Sequence, residues 1–178
     1  MVALLELYYT PEILAQYFKN KDNTTQELLE NVMKLYEHDY TYIHPEYKDN
    51  PKELRYKVLD YRDYLLDKEE YNENIQEVIN DYIEIGLELE EAHDHEVLDY
   101  FFIKIRLERI LWNRKSVTVK LRTLLRNYGY KRRSDKFLKH IEECLLFYHI
   151  KVYYKGETVD LGKISVNERI TFKVMDFL

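Results

Sequence analysis

Apolar residues recur along the first two-thirds of this sequence at steps of three and four, with little to interrupt them. Thr10 before Pro11 has the pattern of an N-cap followed by proline at the first helical position. Thr24 with Glu27 three residues later is a capping-box pattern, and Leu28, Val32 and Leu35 continue along one face. Asn50, Pro51 and Glu53 open another run carrying Leu54, Val58, Tyr61 and Leu65. A further run from about Asn74 carries Ile75, Val78, Ile79, Tyr82 and Ile83 and pauses near Gly86. The last begins near Asp94, with Leu98, Phe101, Phe102 and Ile105 on one stripe and Trp112 near its end. Only 4 glycines and 3 prolines occur in 178 residues, so turns are few and helices long. The spacing predicts a mainly α fold, with a helical bundle joined by short polar connections over residues 1–115. Residues 39–50 are the most irregular connection.

Hydrophobic residues make up 46% of the chain, which suits a packed globule. Cys144 is the one cysteine, which excludes an intramolecular disulfide and a zinc cage built from cysteines. Its place on the stripe Phe137, Ile141, Cys144, Leu145, Tyr148 suggests core rather than nucleophile. No apolar run reaches the roughly 18–20 residues of a membrane span, and none has the flanks of a signal peptide. The expectation is a soluble cytoplasmic protein with no membrane partner.

No ordered catalytic set stands out. His38, Asp39, His44, His93, Asp94 and His95 are the candidates. Adjacent residues on a helix point about 100° apart, so His93, Asp94 and His95 do not converge as ligands, and Asp94 is better explained as an N-cap. There is no Gly-rich phosphate loop and no GxSxG. No catalytic residue, metal ion or cofactor is expected. Tyrosine is abundant, 18 in all with 13 before residue 101. It suits both the margins of a bundle core and an acidic, aromatic partner surface.

The net charge of −6 hides an asymmetry. Residues 1–100 hold 9 Lys/Arg and 25 Asp/Glu, residues 101–150 hold 13 and 4, and residues 151–178 hold 5 and 4. Either two surfaces serve different partners, or the halves neutralise each other.

The basic excess gathers in a second module, residues 116–178. Ser116 is expected to cap a helix with Val117, Leu121, Leu124 and Tyr128 on one face, stopped by Gly129. Tyr130–Arg133 form a turn, and Ser134 caps the next helix, which ends at His149. Ile150, Val152 and Tyr154 alternate as a strand, Gly156 and Glu157 turn the chain, and Ile170, Phe172 and Val174 alternate as a closing strand. Helix, turn, helix and a two-stranded ribbon is the order of elements in a winged helix-turn-helix. Lys131, Arg132 and Arg133 precede a helix N-terminus, Lys136 lies in its first turn and Lys139 one turn on. Cations there oppose the helix dipole by about 0.3–1 kcal/mol each. An anion-seeking role explains them, with Arg122 and Arg126 on the preceding helix widening the patch and Tyr130 placed to stack or pack on sugar.

The run Leu124-Leu125-Arg126-Asn127-Tyr128-Gly129-Tyr130-Lys131-Arg132-Arg133-Ser134, followed by Ile141, Leu145, Ile150, Val152, Ile170 and Phe172, resembles a small winged-helix-like module. That module is found beside restriction-endonuclease-type and other effector domains in prokaryotic conflict proteins. The resemblance covers about residues 116–174 and marks Lys131, Arg132 and Arg133 as the shared basic turn. The chain departs from the pattern in its longer segment between the strands, Lys155 to Arg169. The resulting expectation is a non-enzymatic nucleic-acid-binding or accessory protein of a prokaryotic defence system, with DNA ahead of RNA as partner. A protein-interaction or homo-oligomeric subunit using the acidic Tyr-rich surface is the alternative, and a metal-dependent nuclease stands behind both.

Overall fold

The computed structural model describes residues 7–84 and 97–175, and side chains within them except those of 71–84. The chain is mainly helical with a small antiparallel sheet. It divides into two compact units, residues 9–94 and residues 1–8 with 95–178. The expected division at residue 115 therefore differs from the observed one at 94: the helix before the strands belongs to the C-terminal unit. Charge follows the same division. Residues 9–94 carry 9 Lys/Arg and 22 Asp/Glu, a net −13, and the rest of the chain carries 18 and 11, a net +7.

In the first unit, α1 (Pro11–Phe18) starts at Thr10, whose side chain accepts from the Ile13 N–H. The N-terminus of α2 (Thr25–His38) is a full capping box between Thr24 and Glu27. Two short 3-10 turns, Tyr40–Tyr42 and Pro45–Tyr47, make the irregular connection. Next, α3 (Pro51–Glu84) runs for 34 residues without a break. Two helical runs were expected here. They merge because no glycine or proline separates them. The expected pause at Gly86 and the residues His93, Asp94 and His95 lie outside the described residues. Leu14, Phe18, Leu28, Val32, Leu35, Leu54 and Val58 form the core. The tyrosines divide: Tyr9, Tyr17, Tyr42 and Tyr47 are buried, whereas Tyr56 and Tyr64 on α3 are 52% and 61% exposed. Asp39, one of the catalytic candidates, is buried and accepts a hydrogen bond from the Tyr9 hydroxyl at 2.5 Å, a contact that locks the irregular connection.

In the second unit, α4 (Leu98–Trp112) is buried on nearly every side, and Phe101 and Phe102 meet Phe172 edge-on at 5.2 and 5.7 Å. The chain then forms β1 (Ser116–Lys120) and α5 (Leu121–Asn127). This corrects the expectation of one helix from Ser116. Val117, Thr118 and Val119 are β-branched, and β4 (Arg169–Val174) offers them an antiparallel partner in which Thr118 and Thr171 share a 2.9 Å hydrogen bond. The helix α6 (Asp135–Phe147) follows, with Ser134 accepting from the Phe137 N–H, then β2 (Ile150–Tyr154) and β3 (Glu157–Thr158). Lys155 and Gly156, at φ of 50° and 84°, make the tight β2–β3 turn. Sheet order is β1-β4-β2-β3, so the last strand lies between the first and second. Despite the long segment before it, β4 pairs with β2 in the register Ile150↔Val174 to Tyr153↔Thr171.

Candidate functional site

Six of the eight basic and aromatic residues expected to meet phosphate line one surface concavity of about 640 Å³: Arg122, Arg126, Tyr130, Lys131, Arg132 and Arg133, joined by Leu125, Gly129 and Val166. Local structure explains the convergence. The first N–H groups of α5 lack a side-chain cap and donate instead to the loop before β4, Leu121 N–H to Glu168 O at 3.2 Å and Arg122 N–H to Val166 O at 2.8 Å. That docks Val166 beside Arg122. At its other end α5 closes in a Schellman motif, with Tyr130 N–H to Leu125 O at 2.9 Å and Gly129 N–H to Arg126 O at 3.3 Å. The motif needs a left-handed residue, supplied by Gly129 at φ 78°. It turns the chain so that the basic turn faces Arg122 and Arg126.

The six residues play different parts. Arg122, Arg126, Lys131 and Arg132 are exposed. Arg133 is half-buried and its guanidinium donates through Nη1 to the carbonyls of Leu161, at 2.9 Å, and Ile164. It staples the 159–168 loop to the turn, which its place in a row of basic residues gives no hint of. The ring of Tyr130 packs edge-on against Phe137 at 4.8 Å. Burial first, then the nearby Asp99 carboxylate, hold its phenol pKa above the ordinary value. Tyr130 is therefore part of the wall. Lys136 and Lys139 are exposed on α6 but lie outside the lining. The α6 N-terminus is already served by the Ser134 hydroxyl and by Asp135 in its first turn, so the attraction for an anion rests on the four exposed cations.

A second polar cluster in this unit was not legible in the sequence. Asp99, His140 and Cys144 meet in the interior between α4 and α6. His140 Nε2 is hydrogen-bonded to Asp99 Oδ1, and the Cys144 thiol donates to the same oxygen at 3.3 Å. Burial, followed by the Asp99 charge, pushes the Cys144 thiol far above its usual pKa, so the thiol is unreactive as a nucleophile. The side chain is in the core as its stripe suggests, but with polar company. Arg106, fully buried on α4, donates to the Tyr148 carbonyl and satisfies the end of α6.

Among the described residues no helix is long and apolar enough to cross a membrane. Comparison with protein-family models, with curated proteins and with solved structures gives no match.

Proposed function

We propose that the C-terminal unit is a winged-helix-type module that holds nucleic acid by its phosphates, with DNA preferred to RNA, and that the chain is a non-enzymatic accessory protein. One observation carries this reading: Arg122, Arg126, Lys131 and Arg132 converge, exposed, on a single concavity at a helix-turn-helix. The order α5, turn, α6, then an antiparallel ribbon is that of winged helix-turn-helix readers. Four cations on one wall suit a polyanion, and phosphate contact positions a protein without specifying sequence, so binding is weakly sequence-specific. The association with a prokaryotic defence system rests on the resemblance of residues 116–174 alone.

The test is binding to labelled double- and single-stranded DNA and RNA across a salt series. Four phosphate contacts give a slope of about 3–4 log units of affinity per log unit of salt on duplex DNA. Alanine at Arg122, Arg126, Lys131 and Arg132 together should remove most of that slope. An unchanged slope in the quadruple variant, or no binding at low salt, overturns the reading.

A second reading is supported by the first unit. Tyr56, Tyr64 and Leu66 stand 52%, 61% and 41% exposed on α3, in a unit of net charge −13. Exposed aromatics within an acidic surface suit a basic protein partner. Under this reading the chain is a protein-interaction subunit. A complex that survives alanine at the four basic residues but not at Tyr56 and Tyr64 would establish it.

A further inference from the structure

The cluster at Asp99, His140 and Cys144 has the composition and spacing of a metal site. His140 and Cys144 stand one turn apart on α6 and share a face. Asp99 reaches them from the first turn of α4. Cys144 Sγ lies 3.3 Å from Asp99 Oδ1 and 3.8 Å from His140 Nε2. Ligand atoms around a tetrahedral ion, at bond lengths of about 2.0–2.3 Å, stand roughly 3.3–3.8 Å from one another. Two of the three separations already match, and only the close Asp99–His140 pair has to open. Asp99 and Cys144 are 4% and 0% exposed, while the His140 side chain is 29% exposed, so the set is walled by protein and reached from one side.

Charge supports the assignment. A buried carboxylate is costly without compensation, and a second anion beside it is costlier still. A divalent ion held by a carboxylate, a thiolate and a neutral imidazole leaves no net charge in the interior. Thiolate and imidazole select a borderline-soft ion over Mg²⁺ or Ca²⁺.

We propose that Asp99, His140 and Cys144 bind a transition-metal ion of the Zn²⁺ class, with water completing the shell from the His140 side. On binding, the Cys144 S–H bond breaks, the sulfur–metal bond forms and the proton leaves to solvent. His140 releases to solvent the Nε2 proton that it holds against Asp99, coordinates through Nε2, and as a neutral imidazole carries its one proton on Nδ1. Affinity therefore rises with pH. The ion ties α6 to α4 and stabilises the folded unit.

The experiment uses the full chain freed of metal with a chelator, then titrated with Co²⁺ and Zn²⁺. Binding of a single equivalent of Co²⁺ should bring thiolate-to-cobalt absorption in the near ultraviolet and the intense visible bands of a four-coordinate ion, both bleached by Zn²⁺. Zn²⁺ should raise the melting temperature, and Mg²⁺ should not. Cys144→Ser should abolish the charge-transfer band. His140→Ala, at a position that reaches the surface, should weaken Zn²⁺ by more than the about 10–100-fold typical of losing an outer-shell partner, and it decides the matter if the serine variant does not fold. No cobalt–thiolate band in the parent chain, or undiminished Zn²⁺ affinity in His140→Ala, overturns the proposal.

Discussion

Replacing Arg133 by alanine separates charge from architecture in a row of basic residues. Its guanidinium holds the carbonyls of Leu161 and Ile164, and it is half-buried. A hydrogen bond from a charged donor contributes about 1.5–3 kcal/mol. Losing both, at a position where water can partly replace the donor, should cost about 2–4 kcal/mol. For a unit of this size each kcal/mol moves the melting temperature by about 4–8 °C, so Arg133→Ala should melt roughly 10 °C or more below the parent. Lys131→Ala and Arg132→Ala, at exposed positions, should stay within about 0.5 kcal/mol. Arg133→Lys keeps the charge but loses the fork, so it should fall between parent and alanine in stability. Circular dichroism melts of the four variants suffice. Arg133→Ala melting with the parent, or Lys131→Ala and Arg132→Ala melting as low as Arg133→Ala, would refute the staple.

Other consequences are open to direct measurement. Gly156→Ala, at φ 84° with no atom within 4 Å of the added carbon, should cost about 1–2 kcal/mol from backbone strain alone, read by denaturant unfolding. Tyr9→Phe removes a donor from the buried Asp39 carboxylate and should destabilise the first unit by about 1–3 kcal/mol in the same assay. Cys144, fully buried and with its thiol pKa pushed up, should resist iodoacetamide at neutral pH in the folded chain and react once the chain is unfolded in denaturant, as mass spectrometry can follow.

Much of the local structure was legible because it is set by residues close in sequence. Thr10 with Pro11, Thr24 with Glu27, and Ser134 mark three helix starts through their own side chains. The alternation at Ile150–Tyr154 and Ile170–Val174 marks two strands. The basic turn was also legible, since Gly129 and its neighbours carry the turn chemistry locally. What failed was what depends on distant partners. Val117, Leu121 and Leu124 fit a helical stripe, and only pairing with β4, about 50 residues later, makes Ser116–Lys120 a strand. The role of Arg133 depends on carbonyls 28 and 31 residues away. The cluster joins residues 41 and 45 apart, a separation that no spacing rule covers. The unit boundary moved for the same reason, because α4 gives no sign in its own stripe of which side it will pack on.

The central place of β4 also governs when the C-terminal unit can form. During synthesis β1 emerges without its sheet neighbour β4, and β2 follows with the hairpin strand β3 alone. The two are joined only through a strand made some fifteen residues later still, so each lacks its β4 partner until Arg169–Val174 has left the ribosome. Folding of this unit is therefore completed by its last strand rather than built up along the chain. A stalled chain ending before residue 169 would expose two unpaired strand edges, the kind of surface that draws chaperones or other nascent chains.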